Sequence, residues 1–74
     1  MNKQRKTEIK KIALRLQGIN KDLQKILDDE QDYYDNIPEN FQSSSRADDS
    51  EEAIDQLTEA VEEIEEIVGT LTTI

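Results

Sequence analysis

The sequence predicts an all-α fold: an antiparallel two-helix hairpin that dimerises into a four-helix bundle. Three observations predict it. Two long segments repeat apolar residues at alternating steps of three and four, the spacing that keeps one face of a helix apolar. A polar stretch bearing a proline and three consecutive serines separates them. With two Gly and one Pro in 74 residues, the chain also lacks the turn residues a β-fold needs.

The first segment carries Ile9, Ile12, Leu16, Ile19, Leu23 and Ile26, with Tyr33 and Ile37 in the same phase and Glu30 as the one charged residue on the seam. Ala13, Leu27 and Tyr34 widen the stripe on one flank, whereas Leu14 falls off it. A helix from about Gln4 to about Asp35 follows, roughly 45 Å long at 1.5 Å per residue. Gly18 interrupts the composition but not the phase, so the helix is expected to run through it, at a cost of about 1 kcal/mol relative to Ala. Glu30 on the seam is expected to set register or to meet a Lys or Arg of another chain.

The connection covers about residues 36–49. Pro38 cannot continue a helix and biases Ile37 towards extended geometry. Phe41, a large apolar group in polar surroundings, is expected to plug the end of the core or to anchor an interface. The second helix is expected from about Ser50 to about Val68, with Ile54, Leu57, Val61, Ile64, Val68 and Leu71 on its seam and Ala53, Ala60 and Ile67 beside it. Asp49 and Glu52 have the spacing of a capping box, and Gly69 suits the residue that closes a helix.

Each stripe is wider than one neighbour can cover, and a chain this short seldom completes a core alone. Self-association, or docking on a partner protein, is the expected remedy.

Charge is segregated. Residues 1–27 hold eight Lys or Arg and two acids, while residues 28–74 hold one Arg and sixteen acids, for a net charge of −9. A hairpin would lay Lys3, Arg5, Lys6, Lys10 and Lys11 beside Glu62, Glu63, Glu65 and Glu66. It would also gather Asp28, Asp29, Asp32 and Asp35 with Asp48, Asp49, Glu51 and Glu52 at the loop end. The first helix is charged against its own macrodipole, basic at its start and acidic at its end.

The same composition excludes several function classes. With no His and no Cys, the chain cannot carry a Ser-His-Asp or Cys-His catalytic set, the usual zinc ligands, disulfides or thiol redox chemistry. A net charge of −9 argues against binding nucleic acid or an anionic membrane. No apolar run approaches the roughly 20 residues of a membrane span, and Lys10, Lys11 and Arg15 break every stretch that could follow the basic start as a signal sequence. A cytoplasmic protein is expected. Residues 28–39 place acids or amides where a calcium loop wants them, but Tyr33 replaces its turn glycine, without which the loop cannot wrap an ion. The glutamates at 59, 62, 63, 65 and 66 project away from the seam, whereas a metal site in a bundle needs acids pointing inward. No enzyme, cofactor or metal is expected.

The stretch Asp28-Asp29-Glu30-Gln31-Asp32-Tyr33-Tyr34-Asp35-Asn36-Ile37-Pro38-Glu39-Asn40-Phe41-Gln42-Ser43, followed by Arg46 and by Glu51 to Ala60, resembles small proteins encoded by phages and prophages of Gram-positive bacteria. The connector Asp35-Asn36-Ile37-Pro38-Glu39 is its most specific part, and the similarity covers about half the chain. The resemblance implies a context in which small accessory proteins bind host or defence proteins. It implies no activity and no site residues.

A non-enzymatic interaction protein that self-associates and binds another protein is therefore expected. Its candidate contact residues are Tyr33, Tyr34 and Phe41, with Asp28, Asp32, Asp35, Glu51, Glu52, Asp55 and Glu59 around them. The alternative from a different class is an inhibitor whose acidic face, Glu51, Glu52, Asp55, Glu59, Glu62, Glu63 and Glu66, occupies the nucleic-acid-binding surface of a host or defence enzyme.

Overall fold

The computed structural model describes all 74 residues. Helix α1 spans Lys3–Asp35 and helix α2 spans Ser45–Thr72, joined by a connection whose middle is the 3₁₀ turn Glu39–Phe41. The helices pack antiparallel as a hairpin 59 Å long and 13–14 Å across. Its radius of gyration, 17.1 Å, compares with about 11 Å for a globular chain of this length. The molecule is a rod.

Local chemistry sets the helix ends. The Asn2 side chain accepts the Arg5 N–H at 2.8 Å, satisfying one of the donors a helix start leaves free. Asn36 ends α1, and its side-chain amide donates to the Asp32 carbonyl at 2.7 Å. Proline then enforces the break, with Pro38 extended at φ −56° and ψ 144°. Ser44 Oγ accepts the Ala47 N–H at 3.3 Å and starts α2. Acidic Asp48 in the first turn suits the helix dipole there.

Two boundaries differ from expectation. Helix α2 begins at Ser45 rather than about Ser50, because Ser44 provides the cap and lets Ala47 enter the interface, where it is 1% exposed. The Asp49–Glu52 pair therefore lies inside the helix and caps nothing. At the other end α2 runs through Gly69 to Thr72, and neither glycine has positive φ. Helix α1 is continuous through Gly18, as expected.

The principal correction concerns which residues of α1 face α2. The interface row is Ile9, Ala13, Leu16, Asn20, Leu23, Leu27, Glu30, Tyr34 and Ile37, all buried or half-buried. Ile12, Ile19, Ile26 and Tyr33, expected on that seam, are each 44–54% exposed. The α2 seam is as expected, continued by Ala47 and Ser50. Helix α2 has thus docked on one flank of the wide α1 stripe. Its choice buries alanine, asparagine and glutamate while leaving three isoleucines in water.

The core that results is thin. Seven of 74 residues are buried, and no side chain is below 2% exposed among the large ones. Phe41 does not plug its end: the 3₁₀ turn leaves the ring 56% exposed, and Ile37, last of the α1 row, takes the buried position instead.

Candidate functional site

The two broad sides of the hairpin differ in kind, and heptad spacing explains why. In an antiparallel pair, rows flanking the two seams on the same side face each other. On one side Gln24 donates to Glu65 at 3.5 Å, and Lys10 and Gln17 share a groove with Thr72. The rows of that side are Lys10, Gln17, Gln24 and Gln31 on α1 and Glu51, Thr58, Glu65 and Thr72 on α2. This side is polar apart from the exposed Leu14, which lines the same groove.

On the opposite side Tyr33 and Ala53 line one groove with Glu30 and Ser50. Stepping by seven from these two residues gives Arg5, Ile12, Ile19, Ile26 and Tyr33 on α1, and Arg46, Ala53, Ala60 and Ile67 on α2, with Ile74 just past its end. Beyond the arginine that begins each row, the remaining eight residues carry no charged side chain. Six are large, and each of the six is 44–54% exposed. Isolated exposed apolar residues need no explanation, but a continuous file of them along a rod does.

A second apolar feature lies at the loop end. Tyr33, Ile37, Pro38 and Phe41 line a groove rimmed by Asn36 and Arg46. Tyr33 belongs to both features and joins them. The structure thus brings Tyr33 and Phe41 together as expected. Tyr34 is drawn half-buried into the helix interface, away from them.

The acidic candidates fall elsewhere. Asp28, Asp32 and Asp35 are exposed on α1 near its end, and Glu51, Glu52, Asp55 and Glu59 are exposed on α2. None belongs to the apolar rows. Glu51 flanks the polar side, whereas Glu52, Asp55 and Glu59 run along the outer edge of α2. Gln31 donates to Asp35 at 3.0 Å, tying one of these acids to its own helix. The calcium-like stretch is helical through Asp35, and no group of three or more acids is placed to hold a metal ion. No helix is long and apolar enough to cross a membrane.

No protein-family model, no curated protein and no solved structure matches the chain.

Two polar groups sit between the helices. Glu30 accepts a hydrogen bond of 2.7 Å from the Ser50 hydroxyl of its own chain. Asn20 is 5% exposed and donates to the Val61 carbonyl at 3.4 Å, while its own Oδ1 has no partner. Its position among Leu16, Leu23 and Leu27 was hidden by the stronger isoleucine row. The signal available was its step of four from Leu16 and three to Leu23.

The register also corrects the expected charge pairing. Gln24 meets Glu65 and Lys10 lies level with Thr72, so Lys3, Arg5 and Lys6 extend beyond the run of glutamates at 62–66. None of the side-chain hydrogen bonds between the helices uses a lysine or arginine. The free end of the hairpin is basic and the loop end acidic.

Proposed function

We propose that this chain is a non-enzymatic protein–protein interaction module that self-associates through its apolar side and binds another protein at its loop end. The observation that carries the reading is the file of six large apolar residues on one side of a hairpin whose other side is polar apart from Leu14. Fully burying such a side chain contributes about 1.5–3 kcal/mol, so each half-exposed one stands to gain about 1 kcal/mol on being covered. The twelve such side chains of two copies give about 12 kcal/mol, comparable to an association cost of roughly 4–15 kcal/mol. The loop-end groove, with Tyr33 and Phe41 as aromatic anchors and Arg46 as the one charged residue lining it, suits an apolar protein segment, since exposed aromatics commonly carry binding energy. The resemblance of residues 28–67 to phage-encoded proteins supports action in the cytoplasm of a Gram-positive host.

Affinity capture of tagged wild-type and Phe41→Ala protein from such a lysate tests the second contact. A stoichiometric partner retained at moderate salt by the wild type and lost by F41A supports the reading. A partner held equally by both refutes the role of the groove.

The second reading, an inhibitor that occupies a nucleic-acid-binding surface, rests on the exposed acids of the α2 outer edge, Glu52, Asp55, Glu59, Glu62 and Glu66. Electrostatic association of that kind is weakened by salt. Reversing Asp55, Glu59 and Glu62 to Lys should then abolish capture; unchanged capture excludes it.

A further inference from the structure

The apolar side and the charge polarity together specify how two copies assemble. This deepens the self-association reading above and rests on it. Two hairpins stacked face to face by a two-fold axis have two options. With the axis along the rod, both loops lie at the same end and α1 of one copy covers α2 of the other. With the axis across the rod, the loops lie at opposite ends, α1 covers α1 and α2 covers α2.

We infer that the chain forms the second kind of dimer, loops at opposite ends, with the axis crossing near Ala60 of α2 and between Ile19 and Ile26 of α1. Charge decides between the options. Each loop end carries nine acids within Asp28–Asp35 and Asp48–Glu52, and the free end carries Lys3, Arg5, Lys6, Lys10 and Lys11 with no acidic run beside them. Loops at one end would stack two acidic ends. Loops at opposite ends lay the basic start of each α1 along the acidic end of its partner's α1, which also answers the macrodipole misplacement within that helix.

The side-chain sizes agree. The hydrogen bonds Asn20 to Val61 and Glu30 to Ser50 fix the register and put Ala60 level with the middle of the Ile12–Tyr33 file. An axis at that level pairs Ile19 with Ile26 and Ile12 with Tyr33 on the α1 side. On the α2 side it sets Ala53 against Ile67 and brings Ala60 to its own copy, where the small side chain lets two helices approach closely.

The chain has no cysteine, so single cysteines report this geometry cleanly. A disulfide requires Cα atoms within about 7 Å. Sedimentation of the full-length chain is measured first, then mild oxidation of Ala60→Cys alone, of mixed Ile19→Cys and Ile26→Cys chains, and of mixed Ile12→Cys and Ile67→Cys chains, with circular dichroism confirming the helical fold of each. The expected result is a dimer in which A60C links to its own copy and I19C links to I26C. A dimer in which only I12C and I67C link has its loops at the same end and overturns the arrangement while leaving self-association intact. A folded monomer overturns both.

Discussion

Replacing the two glycines by alanine tests whether both helices are as continuous as they stand. Gly18 lies inside α1 and Gly69 inside α2, both with negative φ, and a Cβ at either position would meet no atom within 4 Å. Nothing in the folded chain opposes the added methyl group. Glycine in a helix interior costs about 0.8–1 kcal/mol relative to alanine, chiefly through the freedom it retains when unfolded. Gly18→Ala and Gly69→Ala should therefore each stabilise the fold by about 1 kcal/mol. The two sites are on different helices with no shared neighbour, so the pair should give about 2 kcal/mol. For a domain this small that raises Tm by about 8–16 °C. Thermal melts followed by far-UV circular dichroism at one fixed chain concentration measure it, since an associating protein melts higher when concentrated. Neither glycine lies on the apolar side, so the sedimentation behaviour should not change. A lower Tm for G18A would mean that α1 bends there in solution, and a lower Tm for G69A would mean that α2 ends at that residue after all.

Other substitutions probe the interior and the surface separately. Asn20→Leu exchanges a buried amide holding one long hydrogen bond and an unpartnered oxygen for an apolar group, and should stabilise by about 1–3 kcal/mol; a lower Tm would show that the amide is satisfied in solution. Ser50→Ala removes the only hydrogen bond to Glu30 between the helices and should cost about 1 kcal/mol, measured by the same melts. Ile19→Glu with Ile26→Glu places two charges on the apolar file and should reduce the assembly to helical monomers, seen by sedimentation and circular dichroism together. Phe41→Ala should leave the stability read from the same melts within about 0.5 kcal/mol of wild type, because an exposed ring contributes little to the fold.

The sequence made α2 legible to its seam because only alanines and one isoleucine flank that seam, so a single phase stands out. Helix α1 was harder for a physical reason. Ile9, Leu16, Leu23, Glu30 and Ile37 are common to two overlapping seams. One is completed by Ile12, Ile19, Ile26 and Tyr33, and the other by Ala13, Asn20, Leu27 and Tyr34. Periodicity weighs the apolar content of the rows and favours the first, yet α2 packs on the second. A seven-residue pattern records that a row is covered without recording by what, and a stripe with two neighbours gives its stronger row to either. The isoleucine row was legible as a buried surface, and the structure leaves it open within one chain. The candidate loop residues show the same limit. Tyr33 and Phe41 meet in one groove, while the neighbouring Tyr34, a hundred degrees round the helix, points into the hairpin. At the start of α2, Ser44 prevailed over Asp49 because an earlier cap brings Ala47 and Ser50 into contact with α1.

Sedimentation equilibrium of the unmodified chain over the micromolar range bears most directly on the claim that the isoleucine file is one half of a shared core. A mass twice the 8.5 kDa of the chain, falling to 8.5 kDa when Ile19 and Ile26 carry the Glu substitutions, is the expected result. A stable, fully helical monomer at every concentration would contradict it.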